Sequence, residues 1–200
     1  ADFFGKGGKK ELTAAEEQGL FGELLVLKEA LKRYGDAAVD AWTGPDKNKH
    51  DFIFQNNDAI EVKTSRAQTR KFVKIANENQ LSSDTNAKLF LKYTVLEYNP
   101  SGETLSDLIE DIFDNCLSDE MSRLTFSHKL LQMQVMRKEL HSSRKYLVVS
   151  ESFYEVNDDF PKLSSEAIRE VSDRIYDVQY KLSLDGLDEY KGDPYGVLKA

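Results

Sequence analysis

Asp51, Glu61, Lys63 and Glu23 are the side chains whose types and spacing could do chemistry together. The stretch from His50 to Lys63 reads His-Asp-Phe-Ile-Phe-Gln-Asn-Asn-Asp-Ala-Ile-Glu-Val-Lys. Asp51-Phe52-Ile53-Phe54 predicts one short strand and Ala59 to Thr64 a second. Gln55-Asn56-Asn57-Asp58 between them is turn chemistry, because Asn and Asp tolerate left-handed backbone and hydrogen-bond locally. Successive strand side chains point to opposite faces, so Glu61 and Lys63 share one face and Val62 takes the other. Paired as a hairpin, the two strands bring Asp51 close to the end of the second. Hard divalent cations bind through one or two carboxylates plus waters and phosphate oxygens. Such an ion lowers the pKa of a bound water and offsets charge on a phosphoryl group. A lysine beside it can orient or deprotonate the water, or hold a phosphate oxygen as a point charge. Taken alone, Glu-x-Lys is more often a surface ion pair on a strand, so the rest of the chain has to carry the argument.

The elements that must position these groups can be read in order. Thr13-Ala14-Ala15-Glu16 is an N-cap with a capping-box acid three residues on. It predicts a helix to about Tyr34, stopped by Gly35. Leu20, Leu24, Leu27 and Leu31 step by three or four, so one face is buried. Glu23 lies beside that face, either as an exposed helix carboxylate or as a third acid reaching the hairpin. Gly19 and Gly22 each cost about 1 kcal/mol relative to Ala inside a helix, which a close backbone approach would justify. Ala37 to Trp42 predicts a short first strand, and Thr43 to Lys49 a loop. After the hairpin, Lys63, Arg66, Arg70, Lys71 and Lys74 are basic and no acid intervenes. Such a run is usually a solvated face; beside a metal-like constellation it is also where a phosphate backbone would need cations. Ile75 to Ser83 reads as a short helix or turn. Ala87 to Tyr98 is rich in β-formers and predicts a core strand, ended by Asn99-Pro100-Ser101-Gly102. Helices are expected over Leu105 to Leu117 and Asp119 to Lys138, strands over Arg144 to Val156 and Ile175 to Leu184, and a helix start near Ser164-Ser165.

The chain has 200 residues, is 40% hydrophobic and 31% charged, and carries a net charge of −8. That is ordinary for one globular domain with a real core. The acidic balance argues against a nonspecific nucleic-acid coat but not against a local basic groove. No apolar run approaches the ~20 residues that span a bilayer, and no signal segment opens the chain. Cys116 is the single cysteine, so there is no internal disulfide and no zinc spacing; a reducing cytoplasm is the simplest setting. The start at Ala1 rather than Met suggests a piece of something longer. His50, His128 and His141 are scattered, with His50 first as a candidate should a histidine take part. The N-terminal Gly5-Lys6-Gly7-Gly8-Lys9 lacks P-loop spacing. Residues 1–12 read as a basic flexible segment.

The order helix with Glu23, strand, strand opening on Asp51, strand ending Glu61-Val62-Lys63, then helix and strand resembles the PD-(D/E)xK nuclease superfamily. Gly19-Leu20-Phe21-Gly22-Glu23-Leu24-Leu25, Trp42-Thr43-Gly44-Pro45, His50-Asp51-Phe52 and Ile60 to Ser65 resemble an uncharacterised bacterial family within it. Members are often met near restriction and phage-defence genes. Gln80-Leu81 fits the same pattern, and the likeness covers about residues 13–98. It implies an α/β (α+β) protein. The restriction-endonuclease-like αβββαβ core would have a mixed central sheet flanked by helices, with residues 99–200 as C-terminal elaboration on the same domain. It implies that Glu23, Asp51 and Glu61 hold Mg²⁺, for which Mn²⁺ would substitute, and that Lys63 assists the attacking water. Arg66, Arg70, Lys71, Lys74 and Gln80 would contact DNA. The implied activity is endonucleolytic hydrolysis of DNA phosphodiesters in restriction or defence, with a homodimer or defence proteins as further partners. The alternative is the same fold as an inactive nucleic-acid or protein interaction module. The residue before Asp51 is His50 rather than proline. A literal Pro45-Asp46 also exists, but Asp51 leads directly into the apolar strand and is preferred as the ligand.

Overall fold

A computed structural model describes residues 12–46, 48–66, 71–82, 88–135 and 143–196. Helix α1 spans Ala14–Tyr34, with the Thr13 hydroxyl and Glu16 carboxylate closing a reciprocal capping box. Gly35 ends it at φ +68°, a conformation that costs a glycine little. The leucine stripe Leu20, Leu24, Leu27 and Leu31 is buried as the spacing predicts, each worth about 1.5–3 kcal/mol.

The main sheet is mixed. Strand β1 is Phe52–Ile53, β2 is Ala59–Arg66, β4 is Leu89–Glu103 and β5 is Tyr146–Glu155, in the order β1-β2-β4-β5. β1 runs antiparallel to β2, β2 parallel to β4, and β4 antiparallel to β5. Helix α1 crosses β2 closely: a Cβ placed on Gly22 would sit 2.2 Å from Thr64 Cγ2. Gln18 Nε2 adds a 3.2 Å hydrogen bond to Thr64 Oγ1. On this face Ile60, Val62 and Phe90 join α1 and helices α3 (Leu105–Asp111) and α4 (Glu120–Gln132) in one core. The opposite face carries Leu89, Leu91, Tyr93 and Val95. A two-stranded ribbon, β3 (Phe72–Ile75) paired antiparallel with β6 (Tyr180–Ser183), closes over it. Among the described residues no helix is long and apolar enough to cross a membrane.

Several elements differ from the sequence expectation. Ala37 to Trp42 is not a strand. It forms a 3₁₀ turn (Gly35–Ala37) and helix α2 (Ala38–Ala41), and only Trp42 makes an isolated bridge, to Phe52. The run is short and alanine-rich, so tertiary burial of Ala38, Val39 and Ala41 decides between periods that a short run cannot distinguish. β4 does not end at Asn99. Tyr98 and Glu103 both face Tyr146 across β5, so Asn99 to Gly102 is an irregularity inside the pairing rather than its end. Helix α3 continues into a π turn over Ile112–Cys116. The strand expected over Ile175 to Leu184 is confined to Tyr180–Ser183. The 3₁₀ turn Glu78–Leu81 and helix α5, Ser165–Val171, fall where expected.

Candidate active site

The hairpin turn forms from its own sequence. Asn57 takes φ +62°, Asn57 N–H donates to Phe54 O at 2.8 Å, and Phe54 N–H donates to Asp58 O at 2.8 Å. The register sets Phe52 opposite Ile60 and Ile53 opposite Ala59, and there β1 stops. Beyond Ile60 the next β2 donor on that edge is Val62 N–H, and the Asp51 carboxylate takes it, with Oδ2 at 2.7 Å. Asp51 is thereby fixed at the point where the edge opens. Its own carbonyl accepts from Thr43 N–H at 2.8 Å and Gly44 N–H at 3.0 Å. That draws the Trp42-Thr43-Gly44 segment across the notch.

Glu23 reaches the same place from α1. Trp42 Nε1–H donates to Glu23 Oε2 at 2.8 Å. Gly44 leaves room for it: a Cβ there would lie 2.5 Å from Glu23 Oε2. Trp42 itself is wholly buried and packs on Phe126, ring centroids 6.0 Å apart. The glutamate is therefore held by a core side chain to which the sequence reading assigned no role at the site.

Glu61 and Lys63 share a face of β2. Lys63 Nζ donates to Glu61 Oε1 at 2.6 Å and to Gln80 Oε1 at 3.1 Å. Ala76 N–H donates to the same Gln80 oxygen at 2.8 Å. Glu61 is only 2% exposed, so this is no surface pair. His50 Nδ1 stands 3.8 Å from Glu61 Oε2 and has no hydrogen-bond partner among the described residues.

The electrostatics follow from this crowding. Burial raises the Glu23 carboxyl to about 7; the Trp42 hydrogen bond opposes the rise, Glu61 adds to it and Lys63 opposes it. Asp51 is pushed well above its ordinary value by burial first, then by Glu61 and Glu23, against the Val62 N–H and Lys63. Like charges gathered out of water disfavour their ionised forms. Lys63 is the cation that acts on both groups, one amine against three carboxyls.

Among the described residues no three of His, Cys, Asp and Glu gather tightly enough to hold a metal ion unaided. Mg²⁺ does not require that, since it keeps several waters and takes one or two carboxylates. The oxygens of the three carboxyls make a donor set that fits a hard cation, whereas the orphaned His50 Nδ1 beside them is an imidazole nitrogen that such an ion does not favour.

Of the expected nucleic-acid contacts, Gln80 belongs to the site through Lys63. Arg66 is exposed at the end of β2, its guanidinium 5.3 Å from the Tyr98 ring centroid. Lys71 and Lys74 are exposed on the approach to and along β3. Arg70 lies outside the described residues. Asp46, the other Pro-Asp candidate, stands in a 3₁₀ turn and pairs with Lys129 at 3.2 Å. The contributions of Trp42 and Gly44 escaped sequence reasoning, although Trp-Thr-Gly-Pro was a visible signal.

No curated protein and no solved structure matches the chain. A family model described as "Putative PD-(D/E)XK family member, (DUF4420)" matches residues 1–185, and the chain belongs to that family.

Proposed function

We propose that the protein is a Mg²⁺-dependent endonuclease acting on DNA phosphodiesters, in restriction or phage defence, with Mn²⁺ able to substitute. The observation that carries this reading is the meeting of Glu23, Asp51, Glu61 and Lys63 at the open edge of β2. Asp51 and Glu61, with Glu23 behind them, would hold the ion; when bound it would supply a water acidic enough to ionise near neutrality and offset phosphoryl charge. Lys63 donates to Glu61 and Gln80, which leaves its third hydrogen to orient a water or a phosphate oxygen. Gln80 fixes the amine at a second point, so its direction does not depend on Glu61 alone. Trp42 and Gly44 position Glu23 without touching the reacting atoms. Arg66, Lys71 and Lys74, with Arg70, supply cations for the polyanion in a chain that is otherwise acidic.

One observation favours a second reading, an inactive interaction module on the same fold. Lys63 is already paired with Glu61, and the acids do not by themselves form a cage. Plasmid cleavage with and without Mg²⁺ separates the two, using wild type and Lys63→Ala. The nuclease reading expects Mg²⁺-dependent nicking lost in the variant; equal activity in both, or none in either while calorimetry shows no Mn²⁺ uptake, rejects it.

A further inference from the structure

The outer face of the β3–β6 ribbon has a charge arrangement that folding alone does not favour. Val73 and Ile75 point into the core, while Phe72 and Lys74 point outward and are exposed. The register sets Lys74 directly opposite Lys181, and Phe72 opposite Ser183. Opposed residues on an antiparallel pair have Cβ atoms about 5 Å apart, and like charges there destabilise the pairing. Neither lysine has an acidic partner among the described residues. Of the acids nearby, Glu78 Oε2 accepts from Val178 N–H at 2.9 Å, and Asp188 pairs with Lys191 while also acting on Lys71. Lys71 adds a third exposed cation immediately before β3. Phe72 is 39% exposed beside them. In a chain of net charge −8, this concentration of positive charge is local.

The ribbon also leads to the site. β3 ends at Ile75, Ala76 N–H donates to Gln80 Oε1, and that oxygen holds Lys63 Nζ. An anionic chain lying along the ribbon would be delivered to the Lys63 end of β2.

We propose that the outer face of the β3–β6 ribbon is a track for an unpaired nucleic-acid strand. Phe72 offers a stacking surface for a base, and Lys74 and Lys181 hold phosphates. A cationic strip with an exposed aromatic is the arrangement that binds single strands without reading sequence. The destination of the strand rests on the nuclease reading; its binding to the ribbon does not.

The test is binding of a labelled single-stranded oligodeoxythymidylate by the full chain without divalent metal, by fluorescence anisotropy across a salt series. The duplex of the same length is the second arm. Lys181→Ala should reduce the slope of log affinity against log salt by about 0.7, one phosphate contact on a single strand. Phe72→Ala should weaken single-strand binding at least about fivefold. Lys181→Glu should weaken binding further and yet raise Tm, because an opposite-charge pair replaces a repulsive one; lysines that merely guard a sheet edge would not lower affinity. Unchanged slopes and affinities in these variants overturn the track, and tighter duplex binding indifferent to Phe72→Ala overturns the unpaired strand. The two readings fail separately. A protein that never cuts but shows these slopes loses only the nuclease assignment; one that cuts with Mg²⁺ while the ribbon variants bind and cut like wild type loses only the track.

Discussion

Replacing Glu23 by Gln should stabilise the metal-free protein, and only above acidic pH. A carboxyl raised from 4.5 to about 7 is ionised more easily in the unfolded chain than in the folded one. The folded state therefore binds the extra proton between those values, and stability falls as pH rises through that window. The full shift corresponds to about 3 kcal/mol; residual solvent contact at the open notch brings the expectation to about 2 kcal/mol. Gln keeps an oxygen to accept the Trp42 N–H and removes the charge. Urea unfolding of wild type and Glu23→Gln in EDTA should agree near pH 4.5 and diverge to about 2 kcal/mol in favour of the variant by pH 8. Under the proposed function, millimolar Mg²⁺ should narrow or invert the difference, because the ion stabilises the ionised cluster that the variant lacks. A wild type as stable as the variant at pH 8 without metal would refute the reasoning, because it would mean that the carboxylates do not crowd one another out of water.

Gly22→Ala should cost about 1–3 kcal/mol in thermal unfolding, since its Cβ would drive into Thr64 Cγ2 and force the helix off β2; Gly19→Ala, with nothing within 4 Å, should instead gain up to about 1 kcal/mol. Gly44→Ala should displace Glu23 from Trp42 and cost about 1–3 kcal/mol, because the buried indole N–H loses its acceptor; under the proposed function calorimetry should also show weakened Mn²⁺ binding. Arg144→Ala should destabilise by about 2–4 kcal/mol at neutral pH, because Arg144 Nη1 lies 3.0 Å from the fully buried Glu17 carboxylate and its loss weakens the pairing of a buried acid; Tyr146 OH, 3.1 Å from Glu17, would still donate and limits the loss.

What the sequence made legible was local. The hairpin could be read because turn residues, strand alternation and a short separation all lie within one stretch, and Asp51 falls beside Val62 as that geometry requires. The first helix could be read because capping box, leucine stripe and Gly35 agree with one another. Ala37 to Trp42 failed because a short alanine-rich run carries no decisive period, and only packing selects a helix there. The β3–β6 ribbon was invisible for another reason. Lys71 and Lys74 were read only for charge, while Ser183 and Lys181, the partners of Phe72 and Lys74, lie more than a hundred positions later, and nothing in either segment names the other. Glu23 was suspected from its place beside the leucine stripe and from the family likeness. What holds it, the Trp42 indole and the space at Gly44, depends on three segments meeting and could not be inferred from any one of them.

The brevity of β1 gives the hairpin two ends with unequal freedom to change. At the Asn56-Asn57 end the chain turns in solvent, so extra residues grafted there would only lengthen a loop. At the Asp51 end, one more rung of backbone pairing would hand Val62 N–H to a main-chain carbonyl and evict the carboxylate. Engineering that seeks to attach a targeting module or a reporter to this protein therefore has a permissive port at the tip and a forbidden one at the root.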